Sequence, residues 1–192
     1  MIEFYYGVMG SGKSEKLIWH YNIIQSLWGA DVLVCNAHFN SDIPPGSVIQ
    51  TRASGVTIKP VHTITPDFDI KRLDGHDIIL IDEAHFLTPD AVRYLSSLSG
   101  KAMCFGLLTD FTNKLFDGSQ ALLYYADKRF CLPEKAMTSF PVQCDYCKRR
   151  ATHNIRLVNG NRVFEGDQFV LKTDDNVEYK AVCGNCFEMR NV

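Results

Sequence analysis

The stretch MIEFYYGVMGSGKSEKLIWHYNIIQSLWG, residues 1–29, decides the fold. Its opening run Ile2-Glu3-Phe4-Tyr5-Tyr6 reads as a short buried strand that breaks at a glycine-rich turn, GVMGSGKS, residues 7–14. Beyond the turn, Leu17, Ile18, Tyr21, Ile24 and Leu27 recur at steps of three and four, which predicts an amphipathic helix over residues 14–28, stopped by Gly29. Strand, loop and helix are the setting in which Gly7-x-x-x-x-Gly12-Lys13-Ser14, a complete G-x-x-x-x-G-K-[ST] pattern, holds phosphate. Gly7, Met9, Gly10, Ser11 and Gly12 form a loop whose curled backbone turns successive N–H groups toward phosphate oxygens, and the helix amino terminus adds partial positive charge. Lys13 is expected to reach the β- and γ-phosphates, and Ser14 to offer its hydroxyl to Mg²⁺. An incidental Lys-Ser in a glycine-rich turn is the competing reading, and the flanking strand and helix argue against it.

Outward from this unit, apolar strands are predicted at DVLVC (31–35), HDIILID (76–82) and KAMCFGLL (101–108). Helical patterns between strands imply a parallel sheet with helices on its faces, an α/β phosphate-loop (P-loop) NTPase-like domain over residues 1–140. Residues 36–74 read as a loop-dominated excursion and 119–127 as a helix. After Pro141 the pattern changes to short alternating runs between cysteine pairs, a small zinc-ribbon-like lobe over 141–192.

The 192 residues suffice for one main domain with an appendage. At 46% hydrophobic and 22% charged, the composition is that of an ordinary globular protein. A formal charge of −2 offers no general attraction to a nucleic-acid backbone, so small-molecule substrates are expected. No apolar run approaches a membrane span and no leader pattern opens the chain, which leads us to expect a cytoplasmic protein with no membrane partner.

The third predicted strand ends in Asp82-Glu83, two carboxylates at the carboxyl edge of the sheet, where open α/β folds bind ligands. Asp82 is the expected Mg²⁺ partner, and Glu83 the group able to take a proton from an attacking hydroxyl or water. The string DEAH at 82–85 also occurs in nucleic-acid-stimulated ATPases, the rival of a different functional class. Such motors generally pair two comparable nucleotide-binding domains, for which this chain lacks the length.

Cys144-x-x-Cys147 and Cys183-x-x-Cys186 supply four thiolates at zinc-ribbon spacing. With all four tetrahedral positions taken by protein, the expected Zn²⁺ is structural. Cys35 and Cys104 lie inside apolar strands and read as small core residues.

Taken together, GxMxSGKS at 7–14, DEAHF at 82–86, GLLTDF at 106–111, LFDGSQALLYYADK at 115–128 and the two cysteine pairs resemble the thymidine kinase family, in its zinc-containing cytosolic and bacterial form. The resemblance implies transfer of the γ-phosphate of ATP to the 5′-hydroxyl of thymidine, giving dTMP for nucleotide salvage and DNA synthesis, with ATP, Mg²⁺ and Zn²⁺ bound and a homotetrameric assembly. It makes Glu83 the catalytic base and Asp82 the magnesium-associated acid. Met9, Phe86, Leu107, Phe111 and Phe116 match residues lining the thymine pocket, and 169–179, ending at Tyr179, match a substrate-covering flap. The sequence departs from the family where Gly10 replaces a usual Phe, where no Arg stands in 36–46, and where 170–179 lacks paired glycines. Arg52 is the nearest basic candidate for the missing charge. A kinase for another nucleoside on the same scaffold is the second alternative.

Overall fold

The computed structural model describes residues 1–27, 29–39, 48–51, 55–132, 141–168, 170 and 176–189. Strand β1, Ile2–Tyr6, leads through the glycine loop into helix α1, Lys13–Leu27, as the apolar spacing predicts. Then follow β2 (Val32–Ala37), the short β3 (Ile49–Gln50) and β4 (Thr57–Ile58), β5 (His62–Ile64), β6 (Ile78–Asp82), α2 (Pro89–Ser97), β7 (Lys101–Gly106), α3 (Asp117–Tyr125) and β8 (Lys128–Cys131). Six strands form one parallel sheet in the order β5-β2-β6-β7-β1-β8.

Alternation along each central strand sorts the core into two layers, because successive side chains point to opposite faces. Ile2 and Phe4, Leu33 and Cys35, Ile79 and Ile81, and Ala102 and Cys104 pack on one face against Val92 and Leu95 of α2 and Leu122 of α3. Tyr5, Val34, Leu80, Met103 and Phe105 pack on the other against Leu17, Ile18 and Ile24 of α1. Burial pushes the Cys35 and Cys104 thiols up to about 12, so both are inert core groups, as expected. The edge strands β5 and β8 carry no clear sequence signature. All four β8 residues are exposed, so no apolar alternation marks the strand.

A separate antiparallel sheet of three strands, in the order β10-β9-β11, follows: β9 is His153–Val158, β10 Asn161–Val163 and β11 Val177–Val182, with the short helix α4 at Gly184–Glu188. Ile155, Leu157 and Val182 pack around Cys144, Cys183 and Cys186. Val142, Ala151 and Ala181 meet Val8 of the glycine loop, so this lobe sits directly on the first sheet's functional edge. The boundary expected at residue 140 lies outside the described residues.

Candidate active site

Gly10 and Gly12 adopt φ of +77° and +74°, values that side chains resist, and so let the loop curl. Gly7 is needed for space: a Cβ there would stand 2.5 Å from Ser11 Oγ and 2.6 Å from the Leu132 carbonyl oxygen. Lys13 Nζ donates to the carbonyls of Gly7 and Val8 at 3.1 and 3.0 Å, lying along the loop it serves. Ser14 Oγ donates to Asp82 Oδ2 at 2.7 Å, joining the start of α1 to the end of β6. Burial pushes the Asp82 carboxyl up, opposed by the Ser14 hydroxyl, the Glu83 N–H and the Lys13 charge.

Glu83 takes the left-handed conformation (φ 50°, ψ 33°) and opens a short 3-10 turn, Ala84–Phe86. Its side chain is about half exposed, 45%, and lines the cavity. Beneath it lies His85, whose Nδ1 is 3.5 Å from Glu83 Oε2 and accepts from the Leu107 N–H at 3.3 Å. The two observations conflict if the Glu83 contact is read as an ion pair. Burial, aided by Lys13, holds His85 well below its usual range, so the ring is neutral and the Leu107 hydrogen bond is the meaningful one.

Helix α3 fixes the next wall. Ser119, fully buried, donates its hydroxyl to the Leu107 carbonyl at 2.6 Å, and the Phe116 N–H bonds Leu108 O at 3.3 Å. Between these, Asp110 Oδ1 accepts from the Thr112 N–H and hydroxyl and from the Lys114 N–H, shaping a tight turn that presents Phe111. The three-stranded lobe closes the far side, where Asn154 Oδ1 accepts from the Met9 N–H at 2.9 Å across the phosphate loop.

The cavity between these walls, about 670 Å³ and open on one side, gathers most of the residues expected from sequence. Met9, Gly10, Gly12, Lys13, Ser14, Asp82, Glu83, Leu107, Phe111, Phe116 and Tyr179 all line it. Gly7 and Ser11, also expected at the site, belong to the loop but do not line the cavity. Phe86 lies off this cavity, on an adjoining hollow, and meets Phe116 edge-on at 5.9 Å; Phe116 walls both spaces. Arg52, Phe169 and residues 171–175 of the expected flap lie outside the described residues. Sequence reasoning missed Asn36, Thr109, Asp110, Asn154 and Gln168, which also line the cavity. None belongs to a motif by itself, and only Thr109 and Asp110, within GLLTDF, lay inside a quoted segment.

The Sγ atoms of Cys144, Cys147, Cys183 and Cys186 lie within 4.8 Å of one another, and Cys147 and Cys183 approach to 3.5 Å. Four thiolates about 2.3 Å from a tetrahedral Zn²⁺ would stand about 3.8 Å apart, so the donor set fits zinc. The Arg149 backbone N–H, chief among several donors, draws the Cys147 thiol down to about 6, whereas burial and the neighbouring thiols push Cys186 up to about 12, so it is the spacing of the four sulfurs that carries the fit to zinc.

A parallel sheet with a glycine loop after its first strand, an acid pair across from it and a shared cavity defines a phosphate-loop nucleotide-binding enzyme. A family model described as thymidine kinase matches residues 1–187. The chain is 34% identical to a thymidine kinase of Chromobacterium violaceum over 96% of each chain. It is 33% identical to one of Lactococcus lactis, covering 94% of this chain and 93% of that one, and 31% identical to one of Lactobacillus acidophilus, covering 94% and 92%. This chain belongs to the thymidine kinase family. It is therefore an ATP-dependent nucleoside kinase that phosphorylates thymidine, and the nucleic-acid-stimulated ATPase reading is not favoured. A crystal structure of Bacteroides Pif1 bound to ssDNA covers 65% of this chain and 33% of that one at 18% identity and a TM-score of 0.30, a likeness too slight to carry an argument. Among the described residues no helix is long and apolar enough to cross a membrane.

Proposed function

We propose that residues 1–140 bind ATP through the phosphate loop and residues 141–192 complete the thymidine pocket. Glu83 takes the proton of the thymidine 5′-hydroxyl as that oxygen attacks the γ-phosphate in line. What supports this is that the loop, Glu83 and the aromatic wall of Phe111 and Phe116 face one cavity. Lys13 and the loop N–H groups meet the developing phosphate charge. Ser14 and Asp82, already hydrogen-bonded to each other, are the residues that would hold Mg²⁺. When bound, that ion would neutralise charge on the β- and γ-phosphate oxygens. Phe111, Phe116 and Leu107 offer flat apolar surface to a pyrimidine base, with Met9 and Tyr179 at its margins. The four-cysteine cluster holds a structural Zn²⁺ that keeps the second lobe folded.

By family resemblance we also assign a cytoplasmic homotetramer. Sedimentation of the purified protein tests the assembly. The activity test is transfer of labelled γ-phosphate to a panel of nucleosides, beside ATP hydrolysis with and without polynucleotide. Preferred labelling of thymidine supports the reading. Preference for another nucleoside, or hydrolysis stimulated only by polynucleotide, overturns it.

A further inference from the structure

We infer that Arg156 is a positioning residue of the thymidine pocket, its buried guanidinium fastening the Phe111 ring to the turn at residues 165–167. This rests on the reading of the cavity given above. Strand β9 has two working faces: Ile155 and Leu157 pack into the cysteine core, while Asn154 and Arg156 face the kinase sheet. Tyr179 of β11 stands opposite Arg156 in register, placing the arginine behind the cavity's far wall.

Arg156 is 5% exposed, and its guanidinium carbon lies 3.8 Å from the centroid of the Phe111 ring. That is well inside the range of a cation–π contact. Nη1 donates to Asp167 O at 2.8 Å and Nη2 to Glu165 O at 3.4 Å, and Nε has no partner among the described residues. No carboxylate pairs with it there. A buried charge met only by carbonyls and a ring face is costly to keep, so this one is held by a surround that fits its planar fork. The surround includes Gly166, at φ +120°, where a Cβ would stand 2.8 Å from Nη2. The backbone conformation requires glycine here, and a Cβ would push the guanidinium from its place.

The consequence concerns the wall of the pocket. The Asp110 turn holds the Phe111 backbone, and Arg156 holds the ring. Gln168, next after the clamped turn, lines the cavity and donates to Leu115 O at 3.3 Å. Loss of the guanidinium frees the ring and the turn together, on the nucleoside side of the site. The contact to the phosphate loop belongs instead to Asn154, two residues earlier.

The test is steady-state kinetics of the full chain for both substrates, with wild type, Arg156→Lys, Gly166→Ala, Phe111→Leu and the Arg156→Lys/Phe111→Leu double variant. Lysine keeps the charge but cannot form the fork, so KM for thymidine should rise roughly tenfold or more while KM for ATP stays within about twofold. Gly166→Ala should reproduce that split by displacing the guanidinium while the arginine itself is kept. In the Phe111→Leu background, Arg156→Lys should add less than about twofold, because both changes remove one interaction. A KM for thymidine that does not move, equal rises in both KM values, or additive effects in the double variant would overturn the clamp. If wild type itself fails to bind thymidine, the pocket assignment falls and the clamp with it.

Discussion

Glu83 combines two properties that pull against each other. Its left-handed backbone costs a residue bearing a Cβ about 1–2 kcal/mol, yet its side chain lines the cavity beside the phosphate loop. Glu83→Gln keeps the shape and removes the basicity, so kcat should fall by roughly 10²- to 10⁴-fold with both KM values little changed. Glu83→Gly should lose the same activity yet melt no lower than wild type, since glycine adopts this conformation freely. Near-normal turnover in the Gln variant would remove Glu83 as the base. Two histidines, His85 buried and His20 half-buried, carry a pH dependence of stability. Burial, aided by Lys16 and Lys101, holds His20 down at about 4, and His85 is likewise kept neutral by burial. Unfolded, both titrate near about 6.5, so the unfolded chain binds more protons below that pH and stability falls as pH drops from about 6.5 toward about 4. His20 Nε2 is buried without a partner among the described residues, and its ring packs against Tyr5 and Trp19. His20→Phe should therefore lose less melting temperature than wild type on acidification through that window; parallel curves would refute the assignment.

At the scale of elements, the contact between α3 and the turn after β6 sets the site's shape. A Cβ on Gly118 would stand 2.5 Å from Leu87 O, 2.7 Å from His85 O and 3.0 Å from Ala84 O, all rigid backbone. Helix α3 packs so closely because this residue has no side chain. Gly118→Ala must lift the helix, at a cost of about 1–3 kcal/mol by overpacking. The shift would carry Phe116 and Ser119 with it, so thymidine KM should rise along with the loss of thermal stability. An alanine variant with unchanged melting and unchanged KM would show that the helix tolerates the displacement. As sequence, this segment is an ordinary strand, turn and amphipathic helix. Its close packing depends on which backbone faces residue 118, and local pattern does not encode that.

Across the whole molecule, the cysteine lobe packs on the phosphate loop and contributes Asn154 and Tyr179 to the cavity. Its strand β9 reaches the phosphate loop through Asn154 and the aromatic wall through Arg156, and Val142, Ala151 and Ala181 pack on Val8. We expect one Zn²⁺ per chain by metal analysis. Replacing Cys147 and Cys183 together with Ser should remove the metal, cost the lobe its ordered sheet and abolish thymidine phosphorylation. Near-ultraviolet circular dichroism and metal content of the same preparation would check this. A metal-free enzyme with full activity would overturn the structural role of the site.

The glycine loop, the acid pair at 82–83, the four central strands and the paired cysteines were legible in the sequence. Each compresses its constraints into a short contiguous run: period-2 burial, a backbone curl that needs glycine, or two ligands three residues apart. Tertiary structure alone decided the rest. Asn154 bonds Met9 across 145 positions of chain, and Arg156, Phe111 and Gly166 become one clamp only where the lobe docks. It also placed Phe86 beside the main cavity while Phe116, from the same resemblance, walls it. Such roles rest on which surfaces meet after folding, and a single polar or aromatic residue leaves no periodicity in its neighbours to announce them.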